Sequence, residues 1–420
     1  MAFPTGWTYK CPLTIPASAV PASGTSVPIL LTSAAFPAGM SGMNADASDL
    51  RIASDSNGTV QYPREIISYI ASAGILSVYA LIPSLSNSTN NVIYAFWGNN
   101  AAGEPGQGDP SVSTSVWSNY YGVLHFNKVK PGWKGISDSS GQWNGCNISG
   151  TVNAMSGYAP GTTSLKLSST QGIDVNEFYK FYGADSSTYT TDFMFWCNQN
   201  GTYQTGNVAL GFNAIPFGWQ GNGQFGLGWG GITNTAGSLP ASGWHHAWMR
   251  ITNSVGTFYV DGVNVTGNST IPKAAYNFST LGYSSASTPT WNISEFRMTR
   301  NQNTPVSTVQ IQIASEKNYA TFCYPGTVAI QVAAYNLTLT GLQPGTKVMV
   351  YNSATNNWLA GVGTITGTTF TYAYSYTGDF NVNIVIMSLA YQYMMIKNYT
   401  CSSGSNTIPV QQVIDRNYQA

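Results

Sequence analysis

Charge is what this sequence has least of. Asp, Glu, Lys and Arg make up only 8% of its 420 residues, against about a quarter in an ordinary soluble domain. Its 16 basic and 16 acidic side chains cancel, with no block of like sign, which removes the basis for electrostatic binding of nucleic acid or of an anionic membrane. Long apolar runs are also missing. Stretches such as GILSVYALIPSL, residues 74–85, are too short to span a bilayer, so no membrane insertion is expected. The opening MAFPTGWTYK has no basic segment followed by an apolar one, and no secretory signal is expected. The 5 cysteines, at 11, 146, 197, 323 and 401, are odd in number, far apart and never in a CxxC pair. Free thiols are expected, and a zinc or redox centre lacks its usual signal.

Other absences bear on catalysis. Neither a G-x-S-x-G elbow nor a G-x-x-x-x-G-K-[ST] loop occurs, so the common signatures of serine hydrolases and phosphate-binding enzymes are missing. Glycoside hydrolysis needs two carboxyl groups flanking the scissile bond. No two acidic residues here are separated by a single residue, the spacing that places both on one face of a strand; the nearest pairs, Asp46 with Asp49 and Asp174 with Glu177, are 3 apart. The sequence therefore points away from an enzyme. Asn-x-Ser/Thr triplets, as at Asn57, Asn147, Asn264 and Asn336, follow from the abundance of those residues and are not expected to carry glycans.

What is present is the pattern of an all-β protein. Short alternating segments lie between Gly, Pro, Asn and Ser turns along the whole chain. They divide into three tandem β-sandwich domains: 1–102, a linker at 103–114 rich in Gly, Pro and Ser, 115–325, and 326–420. Two histidines stand together in GWHHAWMRITNSVGTFYVDGVNVTG, residues 243–267. Asp261-Gly262 between TFYV and VNV signals a type I′ hairpin, so the histidines precede it on a strand from Trp244 to Thr252. Alternation puts His245, Ala247, Met249 and Ile251 on one face and Trp244, His246, Trp248 and Arg250 on the other. Adjacent histidines on a strand diverge, and a structural role is expected for both, as for His125 in GVLHFN. STVQIQIASEKNYA, 307–320, reads as a helix capped by Ser307 or Thr308 with Val309, Ile313 and Ala320 on one side, or as a strand from Val309 to Ile313.

Three resemblances accompany this pattern. GWTYKCPLTI, ASDLRIASDSNGTVQYPREI, VYALIPSLS and IYAFWGN resemble an N-terminal module of unknown function that often precedes concanavalin-A-like domains. VLHFN with DSSGQWNG, GWHHAWMRIT with FYVDGVNV, and ISEFRMTR, in that order, resemble the laminin-G-like, concanavalin-A-like jelly rolls, a fold that hosts both glycoside hydrolases and lectins. LQPGTKVMVYNSATNNWLAG, TFTYAYSYTGDFNVNIVIMSLAYQYMMIK and TIPVQQVIDRNY resemble a C-terminal domain recurrent in tailed-bacteriophage virion proteins.

Together with the missing pair of catalytic carboxylates they imply a non-enzymatic structural protein of the virion: a fibre, appendage or decoration, assembled in the host cytoplasm and released by lysis. Its expected partners are other virion proteins and a host-surface glycan. Homo-oligomers, trimers among them, are expected because avidity lets weak sugar sites hold a cell. The alternatives are a purely structural capsid decoration or connector, and a polysaccharide depolymerase.

For the glycan, IPFGWQGNGQFGLGWGG, residues 215–231, sets rings among amides and glycines, and WNG at 143–145 does so in miniature. Trp143, Trp219 and Trp229 would stack on sugar C–H groups while Gln220 and Asn222 take the hydroxyls. No cofactor is expected; calcium stays open because some laminin-G-like modules bind it through loop oxygens, with Asp138, Asp185 and Asp192 as candidates.

Overall fold

The computed structural model describes residues 6–102 except 39, and 304–416 except 331–332, 377–378 and 403. Between these it describes 114–127, 135–136, 138–141, 146–149, 153–167, 172–174, 190–199, 207–212, 215–219, 224–227, 234–238, 243–253, 255–265, 269–270, 278–281 and 291–299. The protein is all-β apart from short helical pieces, and its chain divides into two compact units, Met1–Ala329 and Ile330–Ala420. Among the described residues no helix is long and apolar enough to cross a membrane.

The first unit begins with a sandwich of strands β1 (Tyr9–Ile15), β2 (Gly24–Thr32), β3 (Arg51–Ala53), β4 (Gln61–Tyr62), β5 (Arg64–Ile70), β6 (Ile75–Leu85) and β7 (Asn91–Trp97). One sheet runs β1-β7-β3-β4 and the other β2-β6-β5, and Cys11, Leu13, Ile29, Leu31, Val78, Ala80, Ile93 and Ala95 fill the space between them. This sandwich is completed from far along the chain. Tyr324–Pro325 pairs with β1, and the helix Val306–Lys317 lies along β2, where Leu30 N–H donates to Ser315 Oγ and Thr308 Oγ1 donates to Thr25 O. The sheet edge at β2 is thereby covered rather than exposed.

The segment 306–317 is helical, although its VQIQI core alternates as a strand would. Both sides of it are buried: Ile311 faces the sandwich core, while Val309 and Ile313 join a second core. Tyr120 OH, donating to Gln312 Oε1, accepts the glutamine into that interior. The cap differs from expectation: Pro305 stands at the N-cap with no side-chain bond, Ser307 and Thr308 lie within the helix, and Ala320 is exposed beyond its end. Proline's fixed φ and missing N–H suit a helix start without a capping side chain.

The rest of the first unit is built on two antiparallel sheets. In the 9-stranded sheet Asn153–Ser156, Thr163–Leu167, Trp291–Met298, Thr190–Gln199, Trp244–Thr252 and Val255–Val260 are successive neighbours, and the 8-stranded sheet includes Asn207–Phe212, Ile215–Trp219 and Gln224–Leu227. The hairpin at Asp261-Gly262 has Val260 facing Val263 and positive φ at both turn residues, 50° and 80°, as a type I′ turn requires. The second core joins this region to the N-terminal sandwich, combining Leu30, Ile67 and Tyr79 with Trp117, Trp196 and Trp248. Both faces of β6 are therefore buried, which explains its nearly continuous apolar run.

A loop seats the two regions on each other. Ser77 Oγ donates to Pro160 O. Gly161 has φ +74°, and a Cβ there would lie 2.9 Å from Ser68 Cβ and 3.1 Å from Ser77 Oγ. Gly161→Val should lower the stability of the first unit by about 2 kcal/mol through backbone strain and overpacking, read as a lower melting temperature; an unchanged melting temperature would refute this seating.

The second unit is a smaller sandwich. One sheet is Thr369–Tyr376, Ala333–Thr340 and Asn406–Pro409, the last pairing parallel; the other is Trp358–Val362, Lys347–Asn352, Phe380–Ser388 and Tyr391–Cys401. Its core holds Leu337, Leu339, Val348, Val350, Phe370, Ile384 and Ile386.

Candidate functional site

Among the described residues, an ionic cluster of five side chains lies inside the first unit. Glu65 comes from β5, His125 follows the strand Gly122–Leu124, Glu295 and Arg297 lie on Trp291–Met298, and Glu316 is on the helix. All five are at most 2% exposed. A bulge brings Glu295 inward: Phe195 faces Phe296 while Trp196 faces Ser294, leaving Glu295 as the extra residue with φ 55°.

His125 Nδ1 lies 2.6 Å from Glu295 Oε1, and its Nε2 lies 3.0 Å from Glu65 Oε2. With a carboxylate on each nitrogen, the ring is an imidazolium donating both ways. Burial alone would lower its pKa, but Glu295 and Glu65 outweigh that and push it up to about 9. Arg297 Nη2 donates to Glu316 Oε1 at 2.5 Å and to Tyr79 OH at 2.7 Å, and the guanidinium packs over the rings of Tyr79 and Trp117. Glu316 also accepts from Trp196 Nε1 at 2.5 Å, and Glu65 from Trp117 Nε1 at 2.6 Å and Ser139 Oγ at 2.8 Å. Burial raises the Glu316 pKa against the pull of Arg297, and Tyr79 and Tyr158, hydroxyl to hydroxyl, are raised well above the ordinary phenol range by burial. Carboxylates thus converge after all, from three elements rather than one strand. They face each other's cations and indole donors, not a groove.

The paired histidines separate as their alternation requires. His246 is buried beside Trp196, and burial, then the nearby Arg297 charge, lower its pKa to about 3, leaving it neutral. His245 instead meets the hairpin turn: its Nδ1 lies 3.0 Å from Asp261 Oδ2, which also accepts from Lys317 Nζ at 3.1 Å, while Asp261 Oδ1 accepts the His246 N–H. Despite burial, these donors hold the Asp261 carboxyl well below the usual range. Cys197, opposite His245 in the register, could complete a Cys-His-Asp set by residue type. Its thiol donates to the His245 carbonyl, and burial, then the Asp261 charge, push its pKa well above the ordinary value, which is the reverse of what a nucleophile needs.

The calcium candidates are occupied where described. Asp192 accepts from Arg250 Nε and Nη2 at 2.8 and 3.0 Å, from Trp248 Nε1 and from the Thr304 N–H. Asp138 accepts from the Val123 and Ser140 N–H groups and from Ser140 Oγ. Asp185 lies outside the described residues, and among the described ones no group of three or more His, Cys, Asp or Glu side chains is placed to hold a metal. Cys11, Cys197, Cys323 and Cys401 are free buried thiols, as the sequence suggested for its cysteines.

Of the glycan candidates, Trp143, Gln220, Asn222 and Trp229 lie outside the described residues; Trp219 ends the strand Ile215–Trp219, with its side chain outside them too. The ring the sequence reading passed over is Trp358, 63% exposed at the start of an edge strand in the second unit. Its signal was present in SATNNW, a ring beside amides as in the stretch that selected Trp219, with hydroxyl residues where that stretch has glycines.

No family model matches this chain, and no curated protein does. Among solved structures, domain 4 of AbnA, a GH43 extracellular arabinanase from Geobacillus stearothermophilus, in complex with arabinotriose, aligns with 46% of this chain and 98% of that one, at 17% identity and a TM-score of 0.34. Trypanosoma rangeli sialidase in complex with sialic acid aligns over 61% of this chain at 13% identity and a TM-score of 0.37, this chain spanning only 45% of its length. The binding domain of botulinum neurotoxin DC in complex with SialylT aligns over 68% of this chain and 73% of that one, at 11% identity and a TM-score of 0.35. Likenesses this distant do not bear on what this chain does.

Proposed function

We propose that this is a non-enzymatic structural protein of a tailed-phage particle, a fibre, appendage or decoration, that holds a neutral glycan at the host surface through aromatic and amide side chains. The observation that carries the non-enzymatic part is the closure of the ionic cluster. Among the described residues, Glu65, Glu295 and Glu316 come together, and each is sealed from solvent and occupied by protein donors. A hydrolase needs one such group ionised and one protonated beside an open sugar-binding groove. The adhesive part is supported by the scarcity of charge, which leaves rings, amides and hydroxyls as the recognition chemistry; the placement in a virion is supported by the resemblance of residues 326–420.

The test is binding of purified full-length protein, displayed at high valency, to a glycan array, with antibody labelling of phage particles. Capture of neutral glycans and labelling at an outward-facing position are expected. No binding at any valency would overturn adhesion, no labelling would overturn the virion assignment, and release of reducing ends from host polysaccharide would overturn the non-enzymatic reading.

A further inference from the structure

We infer that the second unit carries its own saccharide site, built on Trp358 with the side-chain amides of Asn356 and Asn357. It rests on the glycan reading above for the class of ligand, but on none of the residues selected in the central region.

The ring is presented rather than buried. Trp358 opens the strand Trp358–Val362, an edge of the four-stranded sheet, and its indole nitrogen lies over Gly361, where a Cβ would meet it at 3.2 Å. A glycine there lets the indole rest on the backbone, while most of the side chain stays open to solvent. Trp358 faces Tyr351, and Tyr351 faces Asn383 on the next strand. Directly opposed residues share a sheet face, so ring, phenol and amide form a row across three strands, roughly 10 Å from end to end.

The preceding turn is fixed in place and leaves amides over. Asn352 Oδ1 accepts the Ala354 and Thr355 N–H groups, Asn356 N–H donates to Asn352 O, and Asn352 N–H donates to Asn357 O. Asn356 sits at φ 55°, a conformation asparagine tolerates better than most residues. With the turn backbone held by these bonds, the exposed side chains of Asn356 and Asn357 are engaged by no described group. Each offers a donor and an acceptor in a preformed place, beside a ring that stacks on C–H groups.

Charge decides the class of ligand. From Tyr351 to Val362 there is no ionisable residue other than the tyrosine itself. That stretch offers nothing to pair with a phosphate, a carboxylate or an ammonium. An uncharged polyhydroxyl chain matches it: apolar ring faces for Trp358 and Tyr351, and hydroxyls for the amides.

The experiment is affinity electrophoresis of the full-length protein through gels containing a neutral polysaccharide, in turn a β-glucan, a dextran and a mannan, with gel filtration in parallel. Trp358→Ala should weaken retardation by about ten-fold, on the scale of losing a central aromatic contact. Trp358→Phe should keep most of it, and Asn356→Ala with Asn357→Ala should lose part. An unchanged melting temperature for Trp358→Ala, expected for an exposed side chain, separates lost binding from lost folding. Retardation that survives Trp358→Ala but disappears in Trp219→Ala or Trp229→Ala overturns this site and leaves the proposed function standing. No retardation of the wild type on any of the three overturns both for neutral glycans. A Trp358→Ala variant that dissociates an oligomer while binding polysaccharide normally overturns the inference in favour of a contact between copies of this chain.

Discussion

Arg297→Met should lower the stability of the first unit by about 3–5 kcal/mol, the usual cost of removing one partner from a buried ion pair. Arg297 donates to Glu316, Glu295 and Tyr79 at once, and none of these groups reaches water. Without it, Glu316 keeps only neutral donors, Trp196 Nε1 and Tyr79 OH, and must either take up a proton or remain charged in a low-dielectric interior. Urea unfolding followed by tryptophan fluorescence would show the first unit's midpoint falling while the transition of the second unit, with its separate core, stays in place. Combining Arg297→Met with Glu316→Leu should recover part of the loss, because an apolar pair of similar volume leaves no stranded charge. If the single variant unfolds at the wild-type midpoint, the cluster contributes nothing to holding the unit together.

Stability should also fall on both sides of about pH 6.5, for opposite reasons at two histidines. His125 is raised from an ordinary 6.5 to about 9 in the folded protein. Its contribution is therefore complete below about pH 6.5 and is lost as the pH climbs through 9, a loss of about 3 kcal/mol. His246, lowered to about 3, acts the other way: the unfolded chain takes up a proton that the folded one refuses, so stability drains away as pH falls from 6.5 towards 3. The buried thiols of Cys11, Cys197, Cys323 and Cys401, all raised mainly by burial, add to the alkaline loss because they ionise more readily once unfolded. His125→Gln isolates the imidazole: its stability should be lower than wild type at pH 6 and converge with it by about pH 9.5. A wild-type unfolding midpoint that is flat from pH 6 to 9.5 would show that the ring is not held as a cation.

Local features of this fold were legible. The Asp261-Gly262 turn, the strand carrying His245 and His246, and a helix after residue 306 follow from turn chemistry and periodicity, which act over a few residues. The ionic cluster was not, because Glu65, His125, Glu295 and Glu316 are brought together by sheet packing across as many as 251 positions of sequence, from 65 to 316. A search for two acids on one strand overlooks carboxylates delivered by three elements, and it overlooks the bulge that turns Glu295 inward. One hint was available. In a chain with 8% charged residues, a Glu in ISEFRMTR or YPREIISYI, surrounded by apolar neighbours, has few places to be except in a paired interior. The sharing of a core between the first two expected modules was equally hidden, although the nearly continuous apolar run of β6 already called for cover on both faces.

The late return of Tyr324–Pro325 and the helix Val306–Lys317 to the first sandwich sets a schedule for synthesis. When β7 leaves the ribosome, β1 has one neighbour, the edge at β2 is bare, and Glu65 has neither its imidazole nor its indole. At about 5–20 residues per second the missing pieces emerge on the order of tens of seconds later. Until then the nascent chain displays an open strand edge and an unmatched apolar sheet, the features that recruit chaperones or invite pairing with a neighbouring polysome product. Completion of the first sandwich therefore waits on translation through residue 325.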